Sequence, residues 1–232
     1  MKLPSILFLF LVSFVLNTTV IAQRHQIGLI GGLNLANIDV DIKDSEQQIK
    51  TNTKTGFTFG GVACLSLTNN IAIQFEPAYM QKGSKVEAKW SENGSLIKMD
   101  QTFKTNYIDI PLLLKASFGQ ENAKLYLLAG GSLALKTGDA KVKVEKVTVD
   151  GYDVTSQIPS DELEGELKTK STDFGLNFGG GIIFPVATYH LFIEGQYNIG
   201  LTNINDEVNA DEETLKNRSI QIKAGILFSL GQ

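Results

Sequence analysis

Eleven polar or charged residues share one alternating parity within otherwise apolar stretches: Gln74 and Glu76; Tyr107, Asp109 and Lys115; Asn177; Glu194, Gln196 and Asn198; Gln221 and Lys223. Carboxylates, ammonium groups and amides aligned on one face of extended chain can pair with each other or carry ions and protons. Hydrolysis of a lipid or peptide would need a histidine beside a serine or carboxylate. The chain offers only His25 and His190, and both map to the end of the strands opposite the long connections. The single Cys64 cannot close an internal disulfide and reads as a small filler on the polar face. The acidic pairs and runs Asp206-Glu207 and Asp211-Glu212-Glu213 carry oxygen ligands without the spacing of a calcium loop. They read as solvated loop charge. Gly179, Gly180 and Gly181 are followed by no helix, so they mark close packing or a bend rather than a phosphate cradle. No catalytic residue, metal ligand or cofactor is expected.

The elements that must position those residues follow from a period of two. Eight segments keep one face free of charge. Their apolar faces begin with Ile27, Leu29, Gly31, Leu33 and Leu35, then Phe57 to Leu67 and Ile71 to Tyr79 at alternate positions. They continue with alternate residues from Ile108 to Phe118, Leu125 to Leu135, Phe174 to Phe184, Tyr189 to Ile199 and Ile220 to Leu230. The connections alternate in length. Residues 68–70, 119–124 and 185–188 are tight turns, whereas 36–55, 81–102, 136–171 and 201–218 are long and polar. Phe57, Tyr79, Phe174 and Tyr197 stand near the long-loop end of the apolar faces, and Phe118, Phe184, Tyr189 and Phe228 near the short-turn end. Two aromatic girdles, short turns on one side and long loops on the other are features of membrane barrels. The predicted fold is therefore all-β, an eight-stranded antiparallel up-and-down transmembrane β-barrel with long extracellular loops. Asn93-Gly94 and Asp150-Gly151 predict hairpin turns in β-ribbons beyond the membrane. The acidic stretch with Asp161, Glu162, Glu164 and Glu166 is expected to be mobile. The edge of the ribbon at residues 142–149 is expected to be open to a partner strand.

Residues 1–22 hold an apolar block from Ile6 to Leu16 behind Lys2, ending in Val20-Ile21-Ala22. The block is too short to span a membrane and predicts a signal peptide cut before Gln23, leaving residues 23–232 as one barrel domain. A net charge of -4 argues against nucleic acid as a partner.

The run Asn106-Tyr107-Ile108-Asp109-Ile110-Pro111-Leu112-Leu113-Leu114-Lys115 resembles a recurrent strand of the PorT-like outer-membrane β-barrel family of Gram-negative bacteria. Residues 28–37 look like its first strand, and Phe75-Glu76-Pro77-Ala78-Tyr79 with Lys82-Gly83 like its third. The resemblance implies an outer-membrane barrel and fixes no activity; its namesake branch is associated with protein secretion and maturation. Within eight strands a lumen is just wide enough for side chains to fill. The polar face is therefore read as a salt-bridged plug, with Lys115 lying diagonally from Glu76 and Lys223 from Glu194. The expected role is a non-enzymatic scaffold in outer-membrane lipid, meeting a protein or surface polymer at its extracellular loops. A small-solute or ion channel is the alternative. A secretion component and a soluble lipocalin-like carrier rank below it.

Overall fold

The computed structural model describes residues 25–42, 48–120, 122–206 and 213–230. The predicted signal peptide, residues 1–22, lies outside them, as do residues 207–212 of the acidic runs. Among the described residues no helix is long and apolar enough to cross a membrane.

One antiparallel sheet holds twelve strands. They are β1 (His25–Ile42), β2 (Gln48–Ser66), β3 (Ile71–Phe75), β4 (Ala78–Glu92), β5 (Ser95–Gln120) and β6 (Ala123–Lys136). The second half contains β7 (Ala140–Val149), β8 (Tyr152–Asp153), β9 (Glu164–Leu167), β10 (Thr172–Val186), β11 (Tyr189–Gly200) and β12 (Glu213–Leu230). β1 pairs with both β2 and β12, and the pairings between them run through β3 and β4, then β5, β6, β10 and β11, so the sheet returns on itself. The count departs from the predicted eight for two reasons. Pro77, which has no N–H to give the ladder, splits one predicted strand into β3 and β4. Three further strands, β7, β8 and β9, form inside the long connection 136–171, where Asp150-Gly151 predicts a β-ribbon.

The segment 81–102 forms the β-ribbon that Asn93-Gly94 predicts. β4 and β5 stay paired from Ala78↔Asp109 to Glu92↔Ser95, closing on Asn93 and Gly94 with φ of 51° and 84°. Those left-handed values match the turn that Asn-Gly favours. Asp150 and Gly151 close β7 onto β8 in the same way, with φ of 51° and 87°. The acidic stretch expected to be mobile supplies β9, which pairs with the first residues of β7. This pairing overturns a second expectation. β7 lies against β5 on one side and against β9 and β8 on the other, so its edge is not open to a partner strand.

The outer wall is apolar because alternate side chains point away from the interior. Leu112 is 58% exposed and Leu127 62% exposed, with Leu29, Phe59, Leu114 and Ile193 also outward. From Phe57 on β2 to Leu67 just past its end, this band runs ten steps of about 3.4 Å. At a tilt of about 40° that is close to the ~25 Å apolar height of outer-membrane barrels. Two ring pairs mark its ends, Phe57 with Tyr79 (centroids 5.6 Å apart) and Tyr189 with Phe228 (6.5 Å).

Candidate functional site

The inward positions bring charges together across the lumen. β3 and β11 are separated by three strands in either direction around the sheet, yet their side chains meet. Gln74 donates its amide to Glu76 and to Glu194 Oε2 (3.1 Å). Gln196 donates to Glu194 Oε1 (2.7 Å) and to Glu76 Oε2 (3.1 Å). Lys223, from β12, reaches Glu76 Oε2 at 2.5 Å and Glu194 Oε1 at 3.1 Å. The Tyr126 hydroxyl donates to Glu194 Oε2 at 3.0 Å, and the Cys64 thiol to Gln74 Oε1 at 3.3 Å. Every oxygen of both carboxylates thus has a donor. All of these groups are buried, Glu76 at 1% and Lys223 at 2% exposure. A buried charge left alone is strongly destabilising, and this closed set of donors is what lets two carboxylates sit there.

The register explains the pairing and corrects the expected geometry. Lys223 lies directly across from Glu194 in the β11–β12 ladder rather than diagonally. Lys115 does not pair with Glu76. It stands opposite Ala72 and places its ammonium 3.9 Å from the centre of the Tyr126 ring. That cation–π contact joins Lys115 to the network through the ring whose hydroxyl holds Glu194.

A second crossing lies nearer the loop end. Lys82 of β4 approaches Asp173 Oδ2 of β10 at 3.5 Å and donates to Asn198 Oδ1 of β11 at 3.5 Å. Asn217 donates to Asp173 Oδ2 (2.8 Å), and Asn198 to Asn177 Oδ1 (3.0 Å) and Ser132 Oγ (3.4 Å). The Lys82 ammonium also lies 5.2 Å from the centre of the Tyr107 ring. Asp109 is fully buried, and neither of its oxygens has a hydrogen-bond donor among the described residues. Gln221 is buried opposite Gln196. Above this crossing an apolar cluster of Ile38, Phe103 and Ala140, with Val40, Val142, Leu167 and Leu215 against it, covers the loop end.

Lys82, Asp173 and Tyr126 are network members that the sequence reading missed. Each lies on the inward parity of its strand, Tyr126 between Leu125 and Leu127 and Asp173 beside Phe174. Small residues make room for the large ones. A Cβ on Gly225 would come 2.5 Å from the Phe192 ring, and one on Gly181 would come 2.5 Å from the Tyr126 hydroxyl. The glycine run 179–181 therefore serves packing inside the wall.

At the turn end the lumen opens as a cavity of about 880 Å³ that reaches Cys64 and Lys115 and is lined also by Gln26 and His190. Gln26 donates to His190 Nδ1 at 3.1 Å. β12 separates β1 from β11, which keeps His25 and His190 on non-adjacent strands. No cluster of His, Cys, Asp and Glu among the described residues could hold a metal ion.

An antiparallel sheet that returns on itself, greasy outside and polar within, is the architecture of an outer-membrane β-barrel. The family model described as outer membrane protein beta-barrel domain matches residues 21–206, and the chain belongs to that family. Membership places the protein in the outer membrane and sets aside a soluble lipocalin-like carrier. No curated protein matches the chain in sequence. Among solved structures it is similar to neisserial surface protein A, with TM-score 0.44, 16% identity, and 89% of this chain and 97% of the other covered. It is also similar to the outer membrane protein OprG from Pseudomonas aeruginosa, with TM-score 0.46, 11% identity, and 90% and 97% covered.

Proposed function

We propose that the protein is a non-enzymatic scaffold of the outer membrane. In this reading β3 and β4 act as one interrupted stave, eight staves cross the lipid, and residues 1–22 are removed as a signal peptide. The observation that carries the reading is the Glu76–Gln74–Glu194–Gln196 crossing, pinned by Lys223, which ties opposite walls together. A lumen filled this way suits a rigid anchor. The extensions of β4 and β5, with β7, β8 and β9 beside them, then form the surface that meets a protein or surface polymer. Both histidines lie at the turn end, away from any surface substrate, which supports a role without catalysis. The turn-end cavity is the one observation that favours the second reading, a small-solute or ion channel. Membership of the PorT-like branch, and with it a part in protein secretion, rests on the resemblance of residues 106–115.

The test replaces residues 141–168 with a short Gly/Ser linker. The variant inserted in vesicles is expected to keep the heat-modifiable gel mobility of a folded barrel. Its binding to immobilised surface polysaccharide and surface proteins is expected to fall to background. Binding equal to that of the unaltered chain, or no binding by either, would contradict the scaffold role.

A further inference from the structure

Just beyond the loop end of the apolar band, the outer wall carries a group of lysines without carboxylate partners. Lys104 on β5 faces Gly83 on β4 on one side and Lys141 on β7 on the other, so two like charges sit directly opposite in the ladder. Such a pair is destabilising by itself. Lys85 follows two residues after Gly83, and Lys54 Cδ reaches to 3.1 Å from where a Gly83 side chain would begin. A side chain at Gly83 would also collide with the Phe103 carbonyl oxygen, so the Lys54 stem packs over this glycine and stands close to Lys85 and Lys104. Among the described residues none of the four lysines has a carboxylate within 4.0 Å. Glu166 stands across from Lys141 in the β7–β9 ladder without closing to an ion pair. Glu87 on the same face is engaged by Asn52 at 3.0 Å. Of the other lysines on these ribbons, Lys98, Lys143 and Lys146 are paired with Asp100, Glu164 and Asp153. Partial burial, together with the charges of Lys104 and Lys85, holds the Lys54 ammonium below the usual lysine range.

The height of the group decides what it can meet. Lys54 lies three residues above Phe57 on β2 and Lys104 four residues above Ile108 on β5, about 10–14 Å along the strands. At that level a side chain on the outer wall faces lipid headgroups, and long lysine stems can reach down to them. We propose that Lys54, Lys85, Lys104 and Lys141 form a docking site for a phosphate-bearing lipid headgroup of the outer leaflet, centred on the facing ammonium groups of Lys104 and Lys141. The site rests on the scaffold reading's placement of the strands across the membrane. Its position on the wall, beside the lipid and away from the β-turn tips, favours a lipid over a soluble polymer.

The full chain is compared with a Lys54→Gln/Lys85→Gln/Lys104→Gln variant after insertion into phosphatidylcholine vesicles containing bisphosphorylated lipid A, or its dephosphorylated form. Retention of the lipid is read by native mass spectrometry on release into detergent. The unaltered chain is expected to keep the phosphorylated form selectively, and the triple variant to bind it about a hundredfold more weakly, the product of three lysines near an anionic surface. Substituting the paired Lys98, Lys143 and Lys146 by Gln serves as the control and is expected to leave retention unchanged. Equal retention of both lipid forms, equal loss in the control, or a loss confined to soluble dextran sulfate would overturn the site. A protease-protected, heat-modifiable barrel with no lipid preference removes this site alone. A chain that never becomes protected in vesicles removes the membrane placement beneath it as well.

Discussion

Replacing Lys223 by Met is expected to destabilise the folded barrel by about 3–5 kcal/mol, because it leaves two buried carboxylates facing each other without their shared cation. The Lys223 ammonium lies within 3.1 Å of oxygens from both Glu76 and Glu194, and all three residues are buried, at most 2% exposed. Urea unfolding of the lipid-inserted protein measures the loss. Adding Glu76→Gln and Glu194→Gln to the same chain is expected to restore most of it, since neutral amides remove the repulsion. The exposed pair of Lys98 with Asp100 provides the contrast: its separation is 3.6 Å but both partners are solvated, so Lys98→Met should change stability by at most about 1 kcal/mol. Equal effects at the two positions would mean that the lumen is wet enough to screen its charges, and the crossing would then not be a structural strut.

The second large effect is on the outside. Leu112 sits midway up the apolar band of β5 and points outward, with Gly131 beside it in the next strand. An arginine there must enter lipid, which costs about 2–4 kcal/mol near the bilayer midplane. Thr102→Arg, on the same outward parity of β5 but above the band, should cost less than about 1 kcal/mol. Measured by urea titration in vesicles, a steep difference between the two positions places the band in lipid. Equal, small effects would deny that the outer wall is lipid-facing.

The division between inner and outer faces is legible in the sequence wherever apolar and polar residues alternate. Ile73 and Phe75 against Gln74 and Glu76 is the simplest instance, since a period of two leaves no other assignment. What alternation does not contain is which inward group meets which. The β11–β12 connection, 201–212, is long, so no tight turn sets the register that puts Lys223 across from Glu194. The diagonal expected between Lys115 and Glu76 fails because the β3–β5 register puts Lys115 opposite Ala72, four residues from Glu76, where the Tyr126 ring receives its ammonium. Lys82 was hidden for a different reason. Above Tyr79 the outward positions of β4 become Gln81, Gly83 and Lys85, so polar residues occupy both faces and the contrast that marks a strand disappears. β9 is harder still. Glu164-Gly165-Glu166-Leu167 has little preference for extended chain, and it becomes a strand because the edge of β7 is there to pair with it.

Single-channel recording of the purified, refolded protein in a planar bilayer tests the filled lumen most directly. Two polar crossings and an apolar cover at the loop end predict a silent membrane from a preparation whose gel mobility shows it folded. Steady stepwise openings, altered by substitution of Glu76 or Lys115, would contradict a sealed scaffold and make the turn-end cavity the entrance of a channel.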